Sequence, residues 1–186
     1  AESIRSISET FHDELWDRIN GKTSSGIMSG FNDLDKVTGG FQPGEMIVMS
    51  GVPGVGKSML AMQIALQVSE TIPTVIYSLE MTKELVYRRM VSGIGKIDAL
   101  HLKNGNMTSE EIQKYKDAAE VIENRKLYIA DGGGWDLLTI KADIMKHKIR
   151  HGVRFAVIDY LYLIGDMANE TDEVARTTVL ARGVKR

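Results

Sequence analysis

Apolar residues recur along the first twenty positions at the spacing of a helix. At 100° per residue, Ile4, Ile7, Phe11, Leu15 and Ile19 fall within an arc of about 120°, which predicts an amphipathic helix over residues 2–20. Arg18 lies inside that arc near the helix end, where its long stem can carry the charge to water. Residues 21–30 are small and polar and read as a linker, with a compact domain beginning near Gly30.

Beyond the linker, strand and helix patterns alternate. Residues 46–49 read as a short apolar strand running into a glycine-rich loop, and a helix follows over about residues 57–70. Residues 75–79, led in by Pro73, are a second strand, and Thr82 is placed to cap a helix reaching about Gly95. Thr108 and Glu111 have the spacing of a capping box, opening a helix that runs to about Asn124. Residues 127–130 are a third strand, and the helix over about residues 137–151 stops at Gly152. Residues 155–158 are a fourth strand, and a final helix is expected from about Thr171 to the last residue. Strands separated by helices predict an α/β fold. Its mostly parallel sheet would be covered on both faces, with ligands beyond the strands' carboxyl ends.

Composition narrows the class without naming a chemistry. The 186 residues suit one domain, and 43% hydrophobic with 26% charged residues is ordinary for a globular chain. A formal net charge of −2 gives no global pull toward nucleic acid or an anionic membrane, so a polyanion site would have to be local. The absence of cysteine excludes disulfides, thiolate zinc sites and cysteine nucleophiles, and fits a reducing compartment. No apolar run has the length to cross a bilayer, and the N-terminus lacks a signal peptide's basic and apolar regions. A cytoplasmic location is therefore expected. The ten methionines read as flexible core filler.

The chemistry is concentrated at strand ends. Gly51, Val52, Pro53, Gly54, Val55, Gly56, Lys57 and Ser58 match the pattern G-x-x-x-x-G-K-[ST] between a strand and a helix. Glycines let the backbone curl so that successive N–H groups face the phosphates of a nucleotide, and the following helix adds its positive N-terminal end. Lys57 is expected to reach the β- and γ-phosphates, the Ser58 hydroxyl to ligate Mg²⁺, and Met59 to adjoin the same site. The competing reading is a glycine-rich turn with an exposed lysine. Asp159 ends the apolar strand 155–158, the Walker B arrangement that holds the metal of a bound nucleotide. Alone it would read as a turn residue. Glu80 ends the strand 75–79 at the same sheet edge, where a carboxylate can orient or deprotonate an attacking water; a solvated strand-end glutamate is the alternative.

Ser78, Leu79, Glu80 and Met81, together with the run Ile158, Asp159, Tyr160, Leu161, Tyr162, Leu163 and Ile164, resemble the ATPase domain of replicative DNA helicases of the DnaB type. The lead-in over residues 29–35 and the stretch over residues 39–44 are similar to that family too. The resemblance covers residues 27–186 and implies a RecA-like P-loop fold preceded by a linker segment over residues 1–26. It implies Glu80 as catalytic base, ATP and Mg²⁺ as ligands, and movement along single-stranded DNA. It also implies assembly into a homo-hexameric ring through the N-terminal helix, with primase and a helicase loader as partners. Tyr162 stands where the family usually has Gln. The family continues past the position of Arg186 with a sensor strand between the P-loop strand and the Walker B strand, an arginine finger and further DNA-contacting loops. An incomplete sequence is therefore expected.

Several rivals and weaker features stand beside this reading. A RecA-like recombinase shares individual motifs, a small-molecule P-loop kinase would need an arginine-rich lid, and a non-hydrolysing nucleotide switch would not need Glu80. His147 and His151 have the i, i+4 spacing of a helical zinc pair, but Lys148 stands where a metalloprotease has its Glu; the dipole at the end of a helix explains them better. Arg88 and Arg89 have two readings, a contact to nucleotide or DNA and the more common solvated helix face, and the same two stand for Arg182, Lys185 and Arg186.

Overall fold

Among the described strands, one is buried along its whole length, and it is the one flanked on both sides. In the computed structural model, which describes residues 2–21 and 26–159, β1 (Thr74–Ser78) lies between β2 (Leu127–Asp131) and β3 (Phe155–Asp159). Both neighbours run parallel to it, with Ile76 opposite Ile129 on one side and Val157 on the other. Side chains alternate across the pleat. Ile76, Leu127, Ile129 and Val157 join one core cluster, while Val75, Tyr77, Tyr128, Ala130 and Ile158 join a second.

Helices cover the two faces. The first cluster is closed by α3 (Lys57–Val68), α4 (Lys83–Gly95) and α6 (Ser109–Glu123), through Met62, Ala65, Val86, Met90, Ala118 and Ile122. The second is closed by α7 (Leu137–His151), whose Ile140 is fully buried. Burying a side chain such as Ile76 or Ile140 stabilises the fold by roughly 1.5–3 kcal/mol relative to leaving it exposed. Helix starts follow the expected chemistry: Thr82 caps α4, Thr108 and Glu111 form a reciprocal capping box on α6, and Asp136 accepts from Thr139 N on α7. Gly152 ends α7 in the left-handed region.

Contacts divide the chain into two units, Ala1–Glu45 and Met46–Arg186. In the first, α1 (Ile4–Ile19) starts at Ser3, whose hydroxyl accepts from Ser6 N. Its expected apolar stripe is exposed: Ile4, Ile7, Phe11, Leu15 and Ile19 all face solvent, and Trp16 adds to them at 61% exposure. The polar stretch of residues 21–30 is not a linker throughout. Ile27 pairs with Phe41 in an antiparallel bridge, and Ser29 is buried with its N–H and hydroxyl on Asp35. Burial raises the Asp35 carboxyl, but hydrogen bonds from Ser29 and Gly30 outweigh it and hold the pKa below its ordinary value.

The structure corrects the expected strand at residues 46–49. That segment has no ladder partner among the described residues, and Ile47, Val48 and Met49 are each at least 40% exposed. A strand exists only through a neighbour, and β3 pairs among the described residues with β1 alone. Two short helices, α2 (Asn32–Thr38) and α5 (Ala99–Asn104), carry too few residues to set up a periodicity. Arg88 and Arg89 are half-buried rather than solvated. The expected final helix, Tyr162 and the basic residues at its end lie outside the described residues.

Candidate nucleotide-binding site

The glycine-rich loop enters α3 with no side-chain cap. Gly56, at φ 99°, is the residue before the helix, and no side chain accepts from the first turn's N–H groups. Gly54 also lies in the left-handed region, at φ 78°, so the loop curls where an L side chain would strain it. Gly51, Val52, Pro53, Gly54, Val55 and Gly56 are all exposed, Val52 and Val55 by 70% and 63%. Lys57 bends back over this loop: its Nζ donates to Gly51 O at 2.7 Å and to Val52 O at 3.0 Å. Met59 turns the other way. Its Cε lies 3.9 Å from where a Cβ on Gly93 of α4 would sit, which leaves its backbone N–H as the group it can offer an anion.

Ser58 and Asp159, 101 positions apart in the chain, meet at the sheet's carboxyl edge. The Ser58 hydroxyl donates to Asp159 Oδ1 at 3.1 Å. The other carboxylate oxygen, Oδ2, is buried with no hydrogen-bond partner among the described residues. A buried charged oxygen with nothing to accept from costs free energy, of order 1–3 kcal/mol or more. One hydroxyl and one carboxylate with a free oxygen are hard donors that fit Mg²⁺, which prefers few protein ligands plus phosphate oxygens and water. Among the described residues there is no cluster of three or more His, Cys, Asp or Glu that could cage a metal by itself.

Glu80 stands just past the same edge. Ser78 is in register with Asp131 on one side and Asp159 on the other, and Leu79 N donates to Asp159 O at 2.8 Å. Glu80 follows two residues after Ser78 and is exposed between the buried side chains of Leu79 and Met81. The parallel register therefore brings three strand ends, the loop lysine's helix and Glu80 to one side of the sheet. Two residues there had no role in the sequence reading. Ser78 donates from Oγ to Met81 O at 2.7 Å and accepts from Met81 N, folding the turn that carries Glu80. Asp131 accepts from Lys83 N at 2.9 Å. Its signal was present in the sequence: Tyr128, Ile129 and Ala130 followed by Asp131 is the same strand-end carboxylate pattern that marks Asp159. His147 and His151 are occupied differently from a zinc pair, with both rings packed against Tyr128 and His147 Nδ1 3.2 Å from Asp143 Oδ2.

Comparison with known proteins places this geometry. The Bacillus subtilis (strain 168) protein called replicative DNA helicase DnaC is 34% identical over 174 residues, covering 92% of this chain and 38% of that protein. The replicative DNA helicase DnaB of Geobacillus stearothermophilus is also 34% identical, over 164 residues, covering 87% of this chain and 36% of that protein. The chain thus spans less than two fifths of the length of these relatives. The solved ATPase domain of G40P matches all of this chain and 66% of that one, with a TM-score of 0.86 at 25% identity. A DnaB-like replicative helicase solved in a study of its interactions with primase matches all of this chain and 45% of that one, with a TM-score of 0.82. The fold is therefore the RecA-like one of helicase ATPase domains. Residues 26–186 match the family described as DnaB-like helicase C terminal domain, and the chain, with its P-loop, Asp159 and Glu80 gathered at one sheet edge, belongs to that family.

Proposed function

We propose that this chain is the motor domain of a replicative DNA helicase, hydrolysing ATP to move along single-stranded DNA and part the duplex. The contact that carries the reading is Ser58 Oγ to Asp159 Oδ1, with Asp159 Oδ2 buried and free beside the loop of Lys57. The chemistry that Mg²⁺ would supply when bound is neutralisation of charge developing on the phosphate oxygens. Ser58 and Asp159 would hold that ion. Lys57 would exchange the carbonyls of Gly51 and Val52 for β- and γ-phosphate oxygens, while the N–H groups of Gly54, Val55, Gly56, Ser58 and Met59 line the phosphates. Glu80, exposed at the same edge, would orient and deprotonate the attacking water.

Residues 1–26 are proposed as the linker segment and residues 27–186 as the ATPase domain. The exposed stripe of Ile4, Ile7, Phe11, Leu15 and Ile19 supports docking of α1 on a neighbouring subunit in a hexameric ring, since a helix this short is marginal without a surface to bury against. Primase and a helicase loader are proposed partners, the former supported by the similar helicase studied with primase. No described helix is long and apolar enough to cross a membrane, and a cytoplasmic location is proposed. The test is strand displacement on a forked duplex by the ring-forming protein. ATP-dependent displacement lost in Glu80→Gln is the expected result. ATP turnover stimulated by single-stranded DNA without displacement would favour a recombinase-like motor instead.

A further inference from the structure

The turn over residues 79–82 is held at both ends by groups from other strands, and the two holds differ. At its start, Leu79 N donates to Asp159 O and the buried Ser78 hydroxyl pins Met81. At its end the Thr82 carbonyl accepts from Leu85 N and Val86 N at 3.0 Å, but the side-chain cap is long, with Thr82 Oγ1 accepting from Leu85 N at 3.4 Å. The first helical N–H of α4, on Lys83, is instead satisfied from 48 residues away, by Asp131 Oδ2 at 2.9 Å. Lys83 Nζ adds an ion pair at 3.7 Å to Oδ1 of the same carboxylate. A charge-assisted hydrogen bond of this length is stronger than a neutral one, and a carboxylate at a helix start is favoured by the dipole.

We propose that Asp131 is a positioning residue for Glu80, fixing the start of α4 and with it the turn that carries the carboxylate. The proposal rests on reading Glu80 as the base. Register makes the arrangement possible: Asp131, Ser78 and Asp159 form one row across three parallel strands, so the metal-side and base-side anchors share a single backbone frame. Ser78 fixes where the turn begins. Asp131 fixes where it ends. With Asp131 gone, Lys83 N–H becomes one of the unsatisfied donors of a helix N-terminus, and the end of the turn keeps its Thr82 bonds within α4 but loses its hydrogen bond to β2. A misplacement of about 1 Å at a catalytic group can cost about 10²-fold in rate.

The experiment compares variants in the ring-forming protein by steady-state ATP hydrolysis, with folding checked by circular dichroism. Asp131→Ala should lower kcat by about 10- to 100-fold with KM for ATP little changed, and Asp131→Asn, which keeps an acceptor oxygen, should restore most of the rate. Lys83→Pro removes the same hydrogen bond from the donor side. Proline is tolerated at the first helical position, and Thr82 at φ −67°, ψ 152° already has the conformation a following proline requires. It should reproduce the kcat loss even where Asp131→Ala folds poorly. The double variant Glu80→Gln with Asp131→Ala should be no slower than Glu80→Gln alone, because both act through one group. Wild-type kcat in folded Asp131→Ala or Lys83→Pro, with Glu80→Gln inactive, overturns this inference alone. Wild-type turnover in Glu80→Gln overturns the base assignment beneath it.

Discussion

Asp159→Asn separates the stability of this site from its function, and the two should move in opposite directions. Asp159 Oδ1 accepts one hydrogen bond from Ser58, while Oδ2 is buried without a partner among the described residues. The asparagine amide fills the same volume and keeps one oxygen for Ser58, but it replaces an orphaned charged oxygen with an orphaned neutral group. Because leaving a charged group unsatisfied costs more than leaving a neutral one, the variant should gain about 1 kcal/mol in the absence of ligand. A gain of that size raises the melting temperature by roughly 2–4 °C for a chain of this length. Mg-ATP at 100 times its dissociation constant stabilises the wild type by about 2.7 kcal/mol, and a tenfold weaker affinity at the same concentration leaves about 1.4 kcal/mol. The order of stabilities should therefore narrow or reverse between the two conditions. Thermal unfolding with and without Mg-ATP reads both effects. If Asp159→Asn is less stable without ligand and keeps the full Mg-ATP shift, Asp159 is a structural carboxylate and the reasoning fails.

Two further outcomes follow from the packing around α7 and α5. Tyr77 is fully buried, edge-on to Trp135, and donates to Asp143 Oδ2 at 3.1 Å; Tyr77→Phe should cost about 1.5 kcal/mol by denaturant unfolding, the low end for a bond to a charged group because Asp143 keeps Lys146 and His147. His101 Nδ1 lies 2.7 Å from Glu111 Oε1, and that hydrogen bond and charge hold the His101 pKa above its ordinary 6.5, while the Thr108 backbone N–H first and the His101 contact second hold Glu111 below its ordinary 4.5. The sign follows by linkage: the histidine's contribution is fully present below pH 6.5 and is lost as pH rises through its raised folded value, and the glutamate's is lost as pH falls below 4.5. An NMR titration of the His101 ring should therefore move toward 6.5 in Glu111→Gln, and an unchanged midpoint would count against the pair.

The structure reproduces what was local in the sequence and revises what depended on a partner. Thr82, Thr108 with Glu111 and Gly152 announce helix ends because each cap is satisfied within a few residues of itself. Residues 75–79 are legible as a strand from their apolar run after Pro73, and the structure forms it over Thr74–Ser78, burying all five residues. Residues 46–49 have an equally apolar run but no neighbour to bond among the described residues, and hydrogen bonding rather than composition decides a strand. The site divides in the same way. Lys57 and Ser58 sit in a contiguous motif, and Asp159 and Glu80 follow from strand ends. The bond from Lys83 N to Asp131 spans 48 residues and depends on the register of β1 against β2, which no local pattern encodes.

The central claim is that residues 51–58 bind the phosphates of ATP, and Lys57→Ala tests it most directly. Among the described residues, Lys57 Nζ hydrogen-bonds to carbonyl oxygens of its own exposed loop, at 2.7 and 3.0 Å, so its removal should leave the fold intact. Equilibrium titration with Mg-ATP, monitored by calorimetry alongside a circular dichroism check of folding, should show affinity reduced by at least tenfold, about 1.4 kcal/mol, in the folded variant. A folded Lys57→Ala protein that binds Mg-ATP with wild-type affinity would contradict the account.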